Sequence, residues 1–396
     1  MPGAFKKEIS NLLGQNDDEI LKFKAQSTEA DRQAAIDAAQ NLIRKLQTPQ
    51  ESTINIAYSP AQFLCVRIGI DLDVFNTLAS KSGSVSVEEV AAAKKADPIL
   101  VERVLRVLVC MRYINEDGAK LYSANEMTRH MTHPHSEATI KFVWLGMPTF
   151  AKIPEFLQKT KFKNPEGLTS GPFNYAENLS DSLWEWFGSD PERLNICNTF
   201  MEAKDRLGPS WLVWFPVKER LVDGFDASHG DKLLVDMAGG RGHDTEAFHK
   251  KFPERPGGLV VEDLPHVIED IQDLDPSIER LTFDLFEKQP IEGARIYYIK
   301  FVLHDWSDSD CRKILSNLAP AMKKGYSKLI IEEMILEDTD CAMLQATRDW
   351  VMMAFCNSME RTKGHWQSLL RSAGFKVVKF WPPPGDGQGI IEAELE

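Results

Sequence analysis

LLVDMAGGRGHD, residues 233–244, decides the fold. An apolar run ending in an acid passes into Gly239, Gly240 and Gly242, and a helix-compatible stretch follows, as where the first strand of a doubly wound sheet turns into its helix. Glycine at such a turn lets a ligand approach the backbone closely. The next apolar run, GLVVED (258–263), ends in Glu262 and Asp263, about twenty residues past the glycines, where an acid can accept hydrogen bonds from ribose hydroxyls. The alternative for an acid before Leu264-Pro265 is a polar strand end or helix cap, but its coincidence with the glycine turn favours the ribose role. The turn lacks the full G-x-G-x-x-G phosphate cradle, and Ala238 stands in a glycine-like place, so a nucleoside without pyrophosphate suits it better than NAD.

Downstream, β-type runs alternate with helical stretches: 243–252, 265–274, ARIYYIKFVL (294–303), 309–322 and KLIIEEMIL (328–336). That order predicts a mostly parallel sheet with helices on both faces. KVVKFW (376–381) and GIIEAELE (389–396) flank the turn PPPGDGQG and read as a terminal hairpin.

Upstream, residues 136–230 are rich in aromatics that pack a core, with a minority able to wall a pocket for a flat ligand. Residues 61–125 read as an apolar helix through Val66 and Phe75, a Ser86/Glu89 capping box, a helix over 98–111 and a hairpin turning at Asp117-Gly118. This is the order of a winged helix. The 98–111 helix offers Arg103 and Arg106 among eight aliphatic residues, which suits a dimerisation scaffold rather than a DNA reader. Residues 31–47 form a further helix whose apolar side, from Ala34 to Leu46, carries no chemical group and reads as packing or dimer surface.

At 396 residues the chain exceeds one ordinary core, and its 43% hydrophobic and 27% charged composition is that of a globular protein. The formal charge of −13 opposes nucleic acid, and no basic patch offsets it. Six cysteines without a CxxC pair fit a reducing compartment. MPGAFKKEIS shows no cleavable leader and no long uncharged apolar run occurs, so the expectation is a soluble cytoplasmic protein without a membrane span. His133, His135, His243 and His266 lack metal-ligand spacing, and no metal is expected.

LLVDMAGGRGHD, VVEDLPHVI (260–268), IKFVLHDWSDSDC (299–311) and MERT (359–362), taken together over about residues 60–396, resemble the class II small-molecule O-methyltransferases of the caffeate and flavonoid type, and most of all their fungal secondary-metabolite relatives. The resemblance implies an α/β fold: a Rossmann-like class I methyltransferase domain over 231–396 that binds S-adenosyl-L-methionine, a helical substrate-pocket region over 136–230, and an α-helical winged-helix dimerisation domain over 1–135. A homodimer acting on a small aromatic, polyketide or alkaloid-type secondary metabolite is implied with it. It also implies Gly239 and Gly240 at the methionine end of the cofactor, Asp263 on the ribose, Asp284 and Leu285 along the adenine, and Lys300 near the cofactor. The family's base falls on His304, and its carboxylates fall on Glu333 and Glu360, with neighbouring Glu332 an alternative to the first. Met201, Met352 and Cys356 match substrate-touching positions. Two departures stand out: Ala238 replaces a glycine, and the Gly-Gly before the ERT segment is shortened to NSM (357–359), which bears on the pocket's shape.

Methyl transfer needs an acceptor oxygen held in line and stripped of its proton, and a neutral histidine at the carboxyl end of a strand is a suitable base for a phenol, enol or N-hydroxyl. A carboxylate would orient it and stabilise its charged form. The alternative is a methyltransferase-fold pericyclase or dehydratase that binds the cofactor without transferring methyl. Loss of the histidine or its carboxylates would favour that reading; all are present, although His135 in HPHSEAT (133–139) and Ala238 keep it open.

Overall fold

The computed structural model describes residues 28–165, 167, 169–201, 209–384 and 387–396. The leader-region decapeptide and the centre of the 382–389 turn lie outside them. The chain divides after Ala61 into two compact units. The first holds the helices Glu29–Leu46 and Pro49–Tyr58, each opened by a threonine capping box, Thr28 with Asp31 and Thr48 with Glu51.

In the second unit the helices Val74–Ala79, Val87–Lys94 and Pro98–Cys110 precede a three-stranded sheet of β1 (Val85–Ser86), β2 (Asn115–Gly118) and β3 (Leu121–Ser123), a winged-helix arrangement. The Ser86/Glu89 capping box forms as expected. Two local readings are corrected. The helix expected through Val66 and Phe75 is two, Pro60–Asp71 and Val74–Ala79, because Asp73 turns left-handed at φ 58°, a conformation aspartate tolerates better than most residues. The hairpin loop is Ala119-Lys120, since the register shifts between Glu116 and Gly118 and Lys120 supplies the positive φ. The helix Pro98–Cys110 buries Val101, Val104, Leu105 and Leu108, each worth about 1.5–3 kcal/mol of burial. Its other side shows Ile99 and Leu100 to solvent, while Glu102 holds Arg106 and Lys120 at 3.0 and 3.1 Å.

The large sheet contains β4 (Lys232–Met237), β5 (Gly258–Asp263), β6 (Ile278–Thr282), β7 (Ile296–Lys300) and β8 (Lys328–Glu333), all parallel, in the order β8-β7-β4-β5-β6. Two short strands, β9 (Ile335–Leu336) and β10 (Arg361–Thr362), pair separately in parallel. The hairpin β11 (Phe375–Trp381) and β12 (Gly389–Leu395) adds antiparallel strands beyond β8, as the sequence suggested. β6 was not visible as an apolar run, because only Ile278 of IERLT is buried on this edge strand. Alternate residues feed two cores: Val235, Tyr297, Ile299 and Ile331 face the helices Asp308–Leu318 and Lys363–Ser372, while Leu234, Tyr298, Ile296 and Ile330 face Phe248 and Trp211. Covering both faces is why these strands read as near-continuous apolar runs. Part of the aromatic-rich segment forms a third cluster, Phe142, Phe173, Trp186 and Phe187, that reaches Phe355. No helix among the described residues is long and apolar enough to cross a membrane.

Candidate active site

The parallel pairing puts the carboxyl ends of β4, β5, β6 and β7 along one rim of the sheet, the side on which sheets of this kind form a ligand crevice. β4 ends in a turn whose Ala238, Gly240 and Gly242 all have positive φ, 56°, 60° and 80°. A side chain on Gly239 would lie 2.6 Å from Asp236 Cγ, whereas one on Gly240 would meet nothing within 4 Å. The turn is therefore packed from below and open above, a cradle that fits a nucleoside's close approach. Ala238 holds a left-handed conformation costing roughly 1–2 kcal/mol, so its departure from glycine acts through the backbone as well as through its methyl group.

Asp263, at the end of β5, accepts the Gly240 N–H at 2.8 Å and the Leu264 N–H at 2.7 Å, combining the crevice and capping readings. Burial pushes its carboxyl up. Its neighbour Glu262 points into the interior, accepts from Gln289 Nε2 at 2.9 Å, and is pushed up to about 7 by burial. Asp284, just past β6, is exposed and accepts the Phe286 N–H at 2.9 Å, while Leu285 packs on the core. Lys300 Nζ reaches Asp244 at 2.8 and 2.9 Å, directly beyond the glycine turn. The six residues matched to the cofactor are thus set along one edge of the sheet.

The second half of the site hangs from β7 and β8. His304 lies in a short 3-10 turn after β7, with only 6% of its surface exposed. Its Nδ1 is 3.1 Å from Glu360 Oε1 and 3.5 Å from Glu333 Oε2, while Nε2 lies 3.7 Å from Asp305 Oδ1. Glu333 Oε1 also accepts the Val302 and His304 N–H groups at 3.1 and 3.3 Å, which fixes the turn against β8. The choice between Glu332 and Glu333 follows from strand parity. Glu332 points to the opposite face and accepts the Tyr298 hydroxyl; Glu333 meets the imidazole. Burial disfavours the imidazolium, but Glu333, Glu360 and Asp305 outweigh it and carry His304 up to about 9. Burial carries Glu333 up to about 7, and His304 together with Arg348 and Arg361 holds Glu360 below the usual carboxylate range against its own burial. Nδ1 and the two carboxylates lie within 4.8 Å of one another, a spacing that would also admit a metal ion. Any ion there must compete with the proton that the same charges stabilise.

Three supporting residues escaped the sequence reading. Arg361 is fully buried and donates to the carbonyls of Leu303 at 2.8 Å and Trp306 at 2.7 Å and to Asp308 at 2.9 Å, clamping the turn that carries His304. Its adjacency to Glu360 in MERT was the available signal. Asp349 accepts the Glu360 N–H at 2.8 Å, and Arg348 Nε stands 3.8 Å from Glu360 Oε1.

Of the residues matched to substrate contact, Met352 is buried on the helix Met343–Cys356, and Cys356 Sγ lies 3.4 Å from Asp305 Oδ1, beside the base. Met201 ends the helix Pro191–Met201 about half exposed, and its neighbour Phe200 stacks on Phe142 at 4.2 Å. The shortened loop is closed by Asn357 in the left-handed region at φ 55°, the conformation a glycine would take, and its Nδ2 donates to the Gly167 carbonyl at 2.7 Å. His135 Nδ1 engages the Thr199 carbonyl at 3.0 Å and none of this cluster.

Residues 166–376 match the family profile of the O-methyltransferase domain, and residues 61–133 that of the O-methyltransferase dimerisation domain. The chain is 33% identical to O-methyltransferase penC of Penicillium thymicola, covering 94% of this chain and 93% of that relative. It is 35% identical to O-methyltransferase mpaG of Penicillium brevicompactum, covering 92% and 93%. Among solved structures, OxaC in complex with SAH and oxaline is similar over 99% of each chain at 26% identity, with a TM-score of 0.82. LepI in complex with SAM matches over the whole of both chains at 24% identity with a TM-score of 0.89, a likeness of fold.

Proposed function

The chain belongs to the S-adenosylmethionine-dependent O-methyltransferases, in the branch of the fungal secondary-metabolite enzymes, and from that premise we propose that it methylates an acidic hydroxyl of a small secondary metabolite with His304 as the general base. The observation that carries this reading is an imidazole held on one nitrogen, Nδ1, by two buried carboxylates, with Nε2 outside that grip, 3.7 Å from Asp305 Oδ1. Glu360 and Glu333 orient the ring through Nδ1 and stabilise it once charged, and Nε2 takes the hydroxyl proton. Gly239 and Gly240 lie at the methionine portion of the cofactor, Asp263 at the ribose, Asp284 and Leu285 at the adenine and Lys300 close by; the open face of the turn at Gly240 supports this assignment. Held there, S-adenosylmethionine would supply a sulfonium methyl, the new O–CH3 bond replacing the S–CH3 bond with sulfur as a neutral thioether leaving group. Met201, Met352 and Cys356 wall the acceptor, a phenol, enol or N-hydroxyl of aromatic, polyketide or alkaloid type.

The match to a dimerisation domain supports a homodimer, joined through the region assigned to 1–135, with 136–230 completing the pocket and 231–396 forming the catalytic domain. Six free cysteines support a reducing, cytoplasmic location. The presence of His304 and both carboxylates supports methyl transfer over a role in which the cofactor merely assists another reaction. The test is transfer of label from methyl-labelled cofactor to a panel of phenolic, enolic and N-hydroxyl acceptors by wild type and His304→Ala. Label transfer that vanishes in the variant is expected; acceptor isomerised or dehydrated without label would overturn the reading.

A further inference from the structure

The helix Met343–Cys356 carries Arg348, Met352 and Cys356 at four-residue intervals, so the three side chains share one face. Both ends of that stripe touch the catalytic cluster: Cys356 Sγ is 3.4 Å from Asp305 Oδ1, and Arg348 Nε is 3.8 Å from Glu360 Oε1. The second contact exceeds hydrogen-bond length. Among the described residues Arg348 has no hydrogen-bond partner, and its Nε is buried. Its guanidinium lies over the Phe301 ring, 5.6 Å from the centroid, and the same ring lies 5.3 Å from the His304 ring. Phe301 holds a positive φ of 50°, rare for so bulky a residue, and its ring is a neighbour of both the guanidinium and the imidazole.

An arginine has five N–H donors and no way to discharge them by losing its proton. Here it stands largely buried beside the base, 18% exposed, its charge met only through space by Glu360 and Glu333, two carboxylates that already serve His304. Closing the site over an uncharged acceptor would strip Arg348 of water and return nothing. An acceptor bearing a carboxylate or enolate oxygen would return charge-assisted, planar hydrogen bonds. Other cations are committed elsewhere: Arg361 to the carbonyls of Leu303 and Trp306, Lys300 to Asp244.

We propose that Arg348 is a specificity-determining cation of the acceptor site, and that the acceptor is a flat molecule carrying an anionic oxygen near the hydroxyl that is methylated. This rests on the reading of the His304 cluster as the O-methylation site. Arg348 takes the anionic oxygen, His304 Nε2 faces the hydroxyl, and the Phe301 ring lies beside both side chains.

The test uses a matched pair of probes that differ in charge, 2,4-dihydroxybenzoate and its methyl ester, titrated calorimetrically into wild type, Arg348→Gln and Arg348→Lys, each saturated with S-adenosylhomocysteine. Wild type is expected to bind the acid about tenfold or more tighter than the ester. Arg348→Gln should lose that preference while its ester affinity stays within about twofold, and Arg348→Lys should recover part of it. Equal binding of acid and ester by wild type, binding of neither, or a parallel loss of both in Arg348→Gln would overturn the proposal, the last by showing that Arg348 acts only through Glu360. Failure of wild type to bind S-adenosylhomocysteine would instead count against the O-methyltransferase reading itself.

Discussion

The two halves of the crevice are made of different material. At β4 and β5 the walls are backbone: a glycine turn, its N–H groups, and one carboxylate that caps them. At β7 and β8 the walls are side chains with their charges buried: His304, Glu333 and Glu360 are each at most 6% exposed, with two arginines behind them. A backbone cradle depends on the absence of atoms and changes little with pH. A buried ionic cluster depends on every member keeping its charge and partner. Lesions in the first half should therefore appear in cofactor affinity, and lesions in the second in the rate of methyl transfer and its pH dependence.

Short of removing the base itself, the largest expected effect on that contrast is from Glu360→Gln, which leaves the imidazole Nδ1 with one carboxylate, Glu333. Single-turnover rates at saturating cofactor should fall by roughly a hundredfold or more, with cofactor affinity unchanged. Next is Gly239→Ala. Its methyl would fall 2.6 Å from Asp236 Cγ and 2.8 Å from Val261 Cγ2, and overpacking of that kind costs about 1–3 kcal/mol, so the cofactor Kd should rise by about tenfold or more in equilibrium dialysis.

The pH profile sharpens the comparison further. His304 is raised to about 9, so below that pH the base is mostly protonated and log kcat/KM should climb with a slope of about one, levelling near pH 9. Removing the Glu360 charge should move that limb to lower pH, because one of the groups favouring the imidazolium is gone. Gly239→Ala should leave it in place. The smallest effect is from Ala238→Gly: relief of the left-handed alanine is partly offset by a more flexible unfolded chain, so denaturant melts should show a gain below about 1 kcal/mol.

The same contrast explains how much was legible in the sequence. The backbone half is contiguous, and Gly239, Gly240 and Asp263 could be found because strand, turn and acid follow one another at fixed spacing. In the side-chain half, His304, Glu333 and Glu360 were reached through matching motifs rather than spacing, since 56 residues separate the first and last and only the fold brings them together. Glu332 and Glu333 could not be told apart until strand parity sent one to Tyr298 and the other to His304. Arg348, with no motif around it, and the polar edge strand β6 gave no signal at all. The break at Asp73 and the loop at Lys120 were hidden because non-glycine residues took positive φ there.

The central claim, that one half of the crevice binds the cofactor and the other activates the acceptor, is tested most directly by measuring cofactor Kd and single-turnover methyl transfer at saturating cofactor on His304→Ala and Gly239→Ala side by side. The account predicts a crossed result: His304→Ala keeps its Kd and loses about a thousandfold in rate, while Gly239→Ala loses affinity and keeps its rate. Loss of cofactor binding in His304→Ala, or undiminished methyl transfer by it, would contradict the account.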